Sequence, residues 1–210
     1  MVNRPAGGAR SKKHERAEFD WYVEPRVAVE QLMDGIDFGD DMIWDGCCGR
    51  GTVLDVAKAR GHWTIGSDIV DRYPRHKFFR GNILNATKWP NAGDRALSYI
   101  SNPPYGYEDD IAERIIRKVL TTFPVRRAAF ILPIAFLASA GRHGFFTREF
   151  KPSHTAIYSE RHTMPPGHMI EEMGDDAFKG GMNDYVAVVY TAPMTSRWRT
   201  ETIWLRPSDG

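Results

Sequence analysis

Hydrophobic and polar positions change along the chain in a way that predicts alternating strands and helices. Short apolar runs predict strands at residues 41–45, 62–68, 78–80, 96–101, 127–132, 154–158 and 184–190, with a candidate further edge strand at 200–205. Apolar residues recur at helical spacing over residues 24–34, 51–60 and 111–120. The alternation favours an α/β fold in one three-layer domain, with a mostly parallel, seven-stranded sheet covered on both faces.

A glycine-rich turn joins the first predicted strand to the helix after it and reads Asp45-Gly46-Cys47-Cys48-Gly49-Arg50-Gly51. Gly49 and Gly51 allow the backbone to approach a ligand where a Cβ atom would collide. The helix beyond the turn begins with free amide groups. Asp68 ends the second strand about 20 residues further on, where an acid can bind ribose hydroxyls.

The acid that leads this turn separates it from the dinucleotide fingerprint, which also needs a third glycine. Asp45 would repel a pyrophosphate but attract an ammonium group. One acid for a ribose and one for an ammonium suit S-adenosylmethionine better than NAD. The plain alternatives are that Asp45 is a solvated turn residue and that Asp68 caps a helix.

A stiff corner follows the strand at 96–101 and reads Asn102-Pro103-Pro104-Tyr105. Two consecutive prolines hold φ near about −65° and donate no amide hydrogen. The corner therefore directs the Asn102 side chain and the Pro103 carbonyl towards one point, with the ring of Tyr105 beside them. Two acceptors and a ring can hold a planar amine, although a proline-rich turn without function is the simpler interpretation.

These residues are expected to converge. Asp45, Asp68 and Asn102 each follow a predicted parallel strand. In open α/β sheets, ligands bind beyond the carboxyl ends of the strands. The three side chains should therefore share one edge of the sheet.

Over roughly residues 20–190 the chain resembles the class I S-adenosylmethionine-dependent methyltransferases. Within that class it is most similar to the small N6-adenine DNA methyltransferases with an Asn-Pro-Pro-Tyr motif. Residues 21–27 resemble the N-terminal motif that folds over the methionine end of the cofactor. The resemblance implies catalysis by Asn102, Pro103, Pro104 and Tyr105, and cofactor contacts from Tyr22, Pro25, Asp45, Gly46, Cys47, Gly49, Gly51, Asp68, Ile69, Asn82 and Ile83.

One position departs from the family pattern. The family usually has an acid that holds the adenine amino group of the cofactor, and this chain has Asn82 there. The amide oxygen of Asn82 can still accept that hydrogen bond.

The resemblance implies methylation of adenine N6, with DNA as the favoured substrate. The alternatives are the same chemistry on a protein glutamine or an RNA adenine, and a non-catalytic binding protein on this fold. Residues 1–18, with their basic side chains, are expected to form a flexible arm able to touch phosphates, or a plain solvated tail. Residues 19–206 would then form the methyltransferase domain, and 207–210 a tail.

The long connection at residues 160–183 is interpreted either as a substrate lid or as a disordered surface loop. Candidate substrate contacts are Tyr107, Arg161 and Lys179, with His162 and His168 as further possibilities.

Composition adds few constraints. The chain has 210 residues, 42% hydrophobic residues and a net charge of +1, as expected for one globular domain. The two cysteines are adjacent and lack metal-ligand spacing, so we expect no metal and a reducing, cytoplasmic location. No apolar stretch reaches the roughly 18 residues of a membrane helix. The pattern does not predict an oligomeric state.

Overall fold

The sheet of the computed structural model contains eight strands in the order β3-β2-β1-β4-β5-β7-β6-β8. The structure describes residues 18–73, 77–105, 110–181, 183–193 and 199–207, so the predicted basic arm lies outside the described residues apart from its last position. The strands are β1 Met42–Asp45, β2 Thr64–Asp68, β3 Phe78–Arg80, β4 Leu97–Ser101, β5 Val125–Pro133, β6 His154–Tyr158, β7 Tyr185–Thr191 and β8 Glu201–Leu205.

Strand direction confirms a mostly parallel sheet. Strands β3, β2, β1, β4 and β5 are parallel neighbours, whereas β7 is antiparallel to both β5 and β6. The predicted count of seven is corrected to eight, because the candidate edge strand at 200–205 is β8 and pairs in parallel with β6.

Within the described residues, four α-helices accompany the sheet: α1 Arg26–Gly35, α2 Thr52–Ala59, α3 Ile111–Thr122 and α4 Gly167–Met173. The first three were predicted, and each end lies within two residues of its predicted position. Short 3-10 turns lie at Glu18–Asp20, Ile83–Asn85, Ile134–Phe136, Ala140–Arg142 and Gly174–Phe178, and a π-helical turn spans Phe145–Glu149.

Both faces of the sheet are buried, as expected for parallel strands between helices. In β1, Met42 and Trp44 join the core under α3, whereas Ile43 joins the core under α1 and α2. Successive strand residues point to opposite faces, so a continuous apolar run fills both cores. Because β1 is parallel to both β2 and β4, the carboxyl ends of these three strands lie at the same edge of the sheet.

The connection at 160–183 is not the disordered loop of one interpretation. It contains α4 and the 3-10 turn at Gly174–Phe178, and only residue 182 in it is not described. Ile170 and Ala177 are buried against Val23 of the N-terminal segment. Apolar contact with a distant segment explains why this connection is ordered.

Within the described ranges, no helix has the length and apolar character needed to cross a bilayer.

Candidate functional site

The loop between β1 and α2 approaches the end of β2 through its backbone. The amide of Gly49 donates to Asp68 Oδ2 at 2.9 Å, and the amide of Cys48 donates to the Ser67 carbonyl at 3.1 Å. Gly51 has φ of +82°, and a Cβ there would lie 1.8 Å from the ring of Tyr73. The sequence-predicted glycine at this position is therefore required by both conformation and space.

Asp68 stands at the carboxyl end of β2 with its carboxylate anchored by backbone amides. In addition to Gly49, the amide of Val70 donates to Oδ1 at 3.2 Å. The side chain lies on the wall of a cavity. A carboxylate held in this way retains lone pairs for hydroxyl donors from a ligand.

This cavity has a volume of about 580 Å³ and opens beyond the ends of β1, β2 and β4. A volume of this size is typical of small-molecule sites. The sequence-predicted residues that line it are Tyr22, Gly46, Cys47, Gly49, Asp68, Ile69, Asn82, Ile83, Asn102 and Pro104. The predicted convergence of the cofactor loop, the β2 acid and the tetrapeptide is therefore present in the structure.

Several predicted residues lie behind the wall of the cavity. Asp45 is 1% exposed, and its Oδ1 accepts a hydrogen bond from the amide of Cys47 at 3.0 Å. Pro25 is buried at the start of α1. Asp45 is thus a buried residue that shapes the loop, instead of the solvated turn residue of the plain alternative.

Asn82 and Ile83 also line the cavity. Asn82 Oδ1 accepts from the amide of Leu84 at 2.9 Å and so caps the short 3-10 turn. Its remaining lone pair is the acceptor available for an adenine amino group. Ile83 is buried. Its side chain packs closely against the loop, since a Cβ on Gly46 would lie only 2.3 Å from the Cδ1 atom of Ile83.

A cap made from two distant segments closes the cavity. The amide of Val23 donates to the Pro165 carbonyl at 3.0 Å, and the amide of Gly167 donates to the Trp21 carbonyl at 3.0 Å. The ring of Trp21 lies over the loop with the Arg72 guanidinium 4.3 Å from its centre. Backbone hydrogen bonds therefore join residues 18–25 to residues 165–170.

Replacing Gly167 by alanine should open this cap. The new Cβ would lie 2.2 Å from Cε2 of Trp21, so the indole ring must leave its position. We expect binding of S-adenosylhomocysteine, measured by isothermal titration calorimetry, to weaken about tenfold through lost packing over the cavity. Gly141→Ala is the control, because its Cβ would have no neighbour nearer than 3.8 Å. Equal affinities for the two variants would contradict a role for the cap in binding.

The tetrapeptide holds Asn102 in a defined orientation at the end of β4. Asn102 Nδ2 donates to the Tyr22 carbonyl at 3.1 Å and to Glu24 Oε2 at 3.0 Å. The Tyr22 carbonyl can only accept, which fixes the nitrogen on that side. The carbonyl oxygen Oδ1 therefore lies on the other side, where it accepts from the hydroxyl of Tyr105.

The open aromatic face predicted for Tyr105 is not present in this conformation. The ring packs among residues of both cores, 6.5 Å from the ring of Tyr185, and its hydroxyl also lies 3.3 Å from the Ile131 carbonyl. Pro103 and Tyr105 are likewise not among the residues that line the cavity. The side chain turns inward because its hydroxyl finds acceptors there.

Two acids, Glu24 and Asp45, lie buried beneath the cap. Burial raises the pKa of Glu24 from 4.5 to about 7, against hydrogen bonds that lower it. Burial, and then the charge of Glu24, raise the pKa of Asp45 well above its ordinary value. Burial beside Asp45 also raises the pKa of the Cys47 thiol, so that this thiol is not activated for chemistry.

Glu24→Gln should stabilise the ligand-free protein above pH 7. The pKa of Glu24 rises from its ordinary value of 4.5 to about 7 in the folded protein. As pH rises across this interval, Glu24 therefore lowers the free energy of unfolding progressively. Below pH 4.5 the carboxyl is protonated in both states and the two proteins should match. The gain should reach about 3 kcal/mol at pH 8, since the pKa rises from 4.5 to about 7 and one unit is worth about 1.4 kcal/mol. Urea unfolding at pH 4 and pH 8 measures this, and an equal difference at both values would contradict it.

The predicted substrate contacts do not gather at the cavity. Tyr107 lies outside the described residues. Arg161 Nε donates to Asp184 Oδ1 at 2.9 Å, and Lys179 Nζ lies 2.5 Å from Asp176 Oδ1, both on the exposed surface. His162 is an interior side chain, with Nε2 2.9 Å from Gln31 Oε1, and burial lowers its pKa.

The cavity also includes residues that were not predicted to form it. These are Phe19, Asp20, Trp21, Val23, Glu24, Cys48, Arg50, Arg72, Gly81, Ile111 and Ile115. Trp21 and Glu24 lie in residues 21–27, which resemble the family's N-terminal motif. That resemblance could have predicted their place in the cavity. Arg72 and Ile111 had no such signal, because neither belongs to a motif. Among the described residues, no group of three or more His, Cys, Asp or Glu side chains could hold a metal ion.

Comparison with known proteins finds similarity in structure only. No protein-family model and no curated protein sequence matches the chain. A putative RNA methyltransferase from Pyrococcus horikoshii is similar at TM-score 0.57 and 13% identity, over 82% of this chain and 87% of that one. The 23S rRNA methyltransferase ErmE is similar at TM-score 0.55 and 12% identity, over 83% of this chain and 71% of that one.

A third similar structure is the methyltransferase subunit of a type I restriction-modification system from Streptococcus thermophilus. It has a TM-score of 0.53 and 14% identity, and the match covers 87% of this chain but only 47% of the subunit. Identities this low establish the fold alone. The fold is the α/β Rossmann-like methyltransferase fold, as the sequence predicts, with one more strand.

Proposed function

We propose that this chain is an S-adenosylmethionine-dependent amino-methyltransferase that acts on adenine N6 in DNA. The observation that carries the proposal is the position of Asn102. Its side chain lines the same cavity as Asp68 and the glycine-rich loop, with Nδ2 held by Tyr22 and Glu24. Oδ1 is therefore the atom that can meet a target amine.

The cavity suits this cofactor in shape and charge. Asp68 offers carboxylate oxygens to ribose hydroxyls at the end of β2. A Cβ on Gly46 would lie 2.3 Å from Cδ1 of Ile83 and 2.7 Å from the hydroxyl of Tyr99, so only glycine fits at this point of the loop. Burial, and then the charge of Glu24, raise the pKa of Asp45, so a cationic ligand would stabilise the Asp45 carboxylate.

Asn102 and Pro103 would act on the target amine through hydrogen bonds. An amine conjugated to a ring is a poor nucleophile, because its lone pair is delocalised. Acceptance of its two hydrogens by Asn102 Oδ1 and the Pro103 carbonyl favours the pyramidal nitrogen of the transition state. The cofactor, when bound, supplies a sulfonium methyl group that needs no further activation. A duplex base would have to be extruded to reach this site.

An RNA adenine is the second candidate. The structures similar to this chain include a 23S rRNA methyltransferase and a putative RNA methyltransferase as well as a restriction-modification subunit. The tetrapeptide recognises a planar amine and does not distinguish the polymer that carries it. A protein glutamine, which also presents a planar amine, stays as a further alternative.

Transfer of labelled methyl groups tests the proposal directly. The protein is incubated with methyl-labelled cofactor and, separately, with duplex DNA, single-stranded DNA, RNA and cell protein. We expect label in DNA, recovered as N6-methyladenine after digestion. Label in RNA alone would favour the second candidate, and label in protein alone would overturn a nucleic-acid substrate. Cofactor binding without transfer to any polymer would support a binding protein on this fold.

Tyr105→Phe should preserve transfer, whereas Tyr105→Ala should not. The hydroxyl of Tyr105 donates a hydrogen bond to Asn102 Oδ1, so the target amine must displace this hydroxyl. Phenylalanine removes the hydroxyl and keeps the ring. We expect kcat on an oligonucleotide within about threefold of wild type for phenylalanine and at least tenfold lower for alanine, because alanine also removes the buried ring that packs beside Asn102. Equal losses in both variants would assign the essential role to the hydroxyl and contradict a role for the ring.

A further inference from the structure

The hydrogen bond between Glu24 and Asn102 joins the N-terminal segment to the tetrapeptide. The two residues stand 78 positions apart, and Glu24 Oε2 accepts from Asn102 Nδ2 at 3.0 Å. Both side chains are buried, at 7% and 8% exposure. A buried contact of this kind is well shielded from water, so it holds one geometry.

Glu24 is itself held firmly. Pro25 follows it and precedes the first turn of α1, which fixes the backbone. Hydrogen bonds from the Thr52 side chain and the Val53 amide, at the start of α2, reach its carboxylate. The Glu24 carboxylate, which accepts the hydrogen bond from Asn102, is therefore anchored to the start of α2.

We propose that Glu24 is a positioning residue for the methyl-transfer reaction, which holds the Asn102 amide so that Oδ1 faces the target amine. This inference rests on the proposed function. The Tyr22 carbonyl shares the task from the same side, at 3.1 Å from Nδ2. A charged acceptor on Nδ2 also draws its hydrogen away and makes Oδ1 a stronger acceptor, because linked hydrogen bonds polarise one another.

The groups around Glu24 determine when it carries its charge. The titratable side chains coupled to it are Asp45 after β1, Cys48 in the loop, Tyr105 after β4 and Tyr158 at the end of β6. Burial opposes ionisation of Glu24, and hydrogen bonds from Asn102, Thr52 and Val53 favour it. Because the pKa of Glu24 is raised to about 7, its charge and its effect on Asn102 should grow as pH rises from 6 to 8.

Steady-state kinetics of Glu24→Gln and Glu24→Ala test the proposal. Glutamine keeps an acceptor for Asn102 but loses the charge, so kcat should fall about tenfold and the rise of kcat between pH 6 and 8 should disappear. Alanine removes the acceptor, and kcat should fall about a hundredfold. The KM of the cofactor should stay within about threefold in both variants. Glu30→Gln, which removes a charge from the surface of α1, should leave kcat unchanged.

If Glu24 only bound the cofactor, its replacement would raise the cofactor KM and leave kcat unchanged. That result would overturn the proposal, as would an unchanged pH dependence in Glu24→Gln. The split between KM and kcat therefore separates positioning from binding.

Side-chain amide resonances provide a readout that needs no activity. In protein with 15N-labelled asparagine, the Asn102 amide signals, assigned by their loss in Asn102→Ser, should shift between pH 6 and 8. The shift should be absent in Glu24→Gln. No shift in wild type, or the same shift in the variant, would overturn the coupling. If wild type methylates no polymer, the proposed function fails, and this spectrum still tests the Glu24–Asn102 contact.

Discussion

Replacing Asn102 by alanine should lower kcat for methyl transfer about a thousandfold and leave the cofactor dissociation constant within about threefold. The Asn102 side chain supplies one of the two acceptors for the target amine. Among the described residues, no other side chain is placed to substitute for its Oδ1 atom. Loss of one preorganised polar group at a reacting centre costs about a hundred- to a thousandfold. Single-turnover transfer of labelled methyl to an oligonucleotide measures the effect, and calorimetry measures cofactor affinity.

The control for that variant is Asn91→Ala. Asn91 is an exposed loop asparagine whose side chain accepts only from the local amide of Gly93. Its replacement should leave both kcat and cofactor affinity unchanged. Transfer by Asn102→Ala at more than a tenth of the wild-type rate would contradict the role given to Asn102, provided that the melting temperatures agree.

Replacing Asp68 by alanine should weaken cofactor binding at least a hundredfold. The carboxylate would accept from ribose hydroxyls, and charge-assisted hydrogen bonds are worth about 1.5–3 kcal/mol each. The change also removes the acceptor of the Gly49 amide, which lies 2.9 Å from Oδ2, and so loosens the loop. Asp68→Asn keeps one oxygen and should lose less affinity than alanine. Calorimetry with S-adenosylhomocysteine measures both.

Asp71→Ala is the matched control for Asp68. Asp71 is exposed, and its Oδ1 accepts from the nearby Tyr73 amide at 3.3 Å. Its replacement should change cofactor affinity by less than about threefold. An equal loss of affinity in both variants would mean that the region acts through folding and not through contact with the ribose.

The fold was largely predictable because periodicity encodes it. Residues 42–44 are a continuous apolar run and residues 96–101 are mostly apolar, as buried parallel strands require, and both regions form strands in the structure. The order of strands in the sheet could not be derived from periodicity. The segment at 160–183 was predicted less well, because its order depends on contact with Val23 from the other end of the chain.

The candidate site was predictable where it depends on strand ends and not where it depends on distant contacts. Asp68 and Asn102 follow apolar strands, so their meeting at one edge follows from topology. The Glu24–Asn102 bond and the contact between Trp21 and Gly167 join segments far apart in sequence, which no local pattern reveals. The inward rotamer of Tyr105 likewise depends on the Asn102 and Ile131 oxygens that its hydroxyl meets.

A crystal structure of the protein with S-adenosylhomocysteine and an adenine-containing oligonucleotide tests the central claim most directly. We predict that the ribose hydroxyls lie within hydrogen-bond distance of Asp68, and that the sulfur faces an adenine N6 held by Asn102 Oδ1 and the Pro103 carbonyl. A ligand bound elsewhere, or an Asn102 amide turned with Nδ2 towards the adenine, would contradict it.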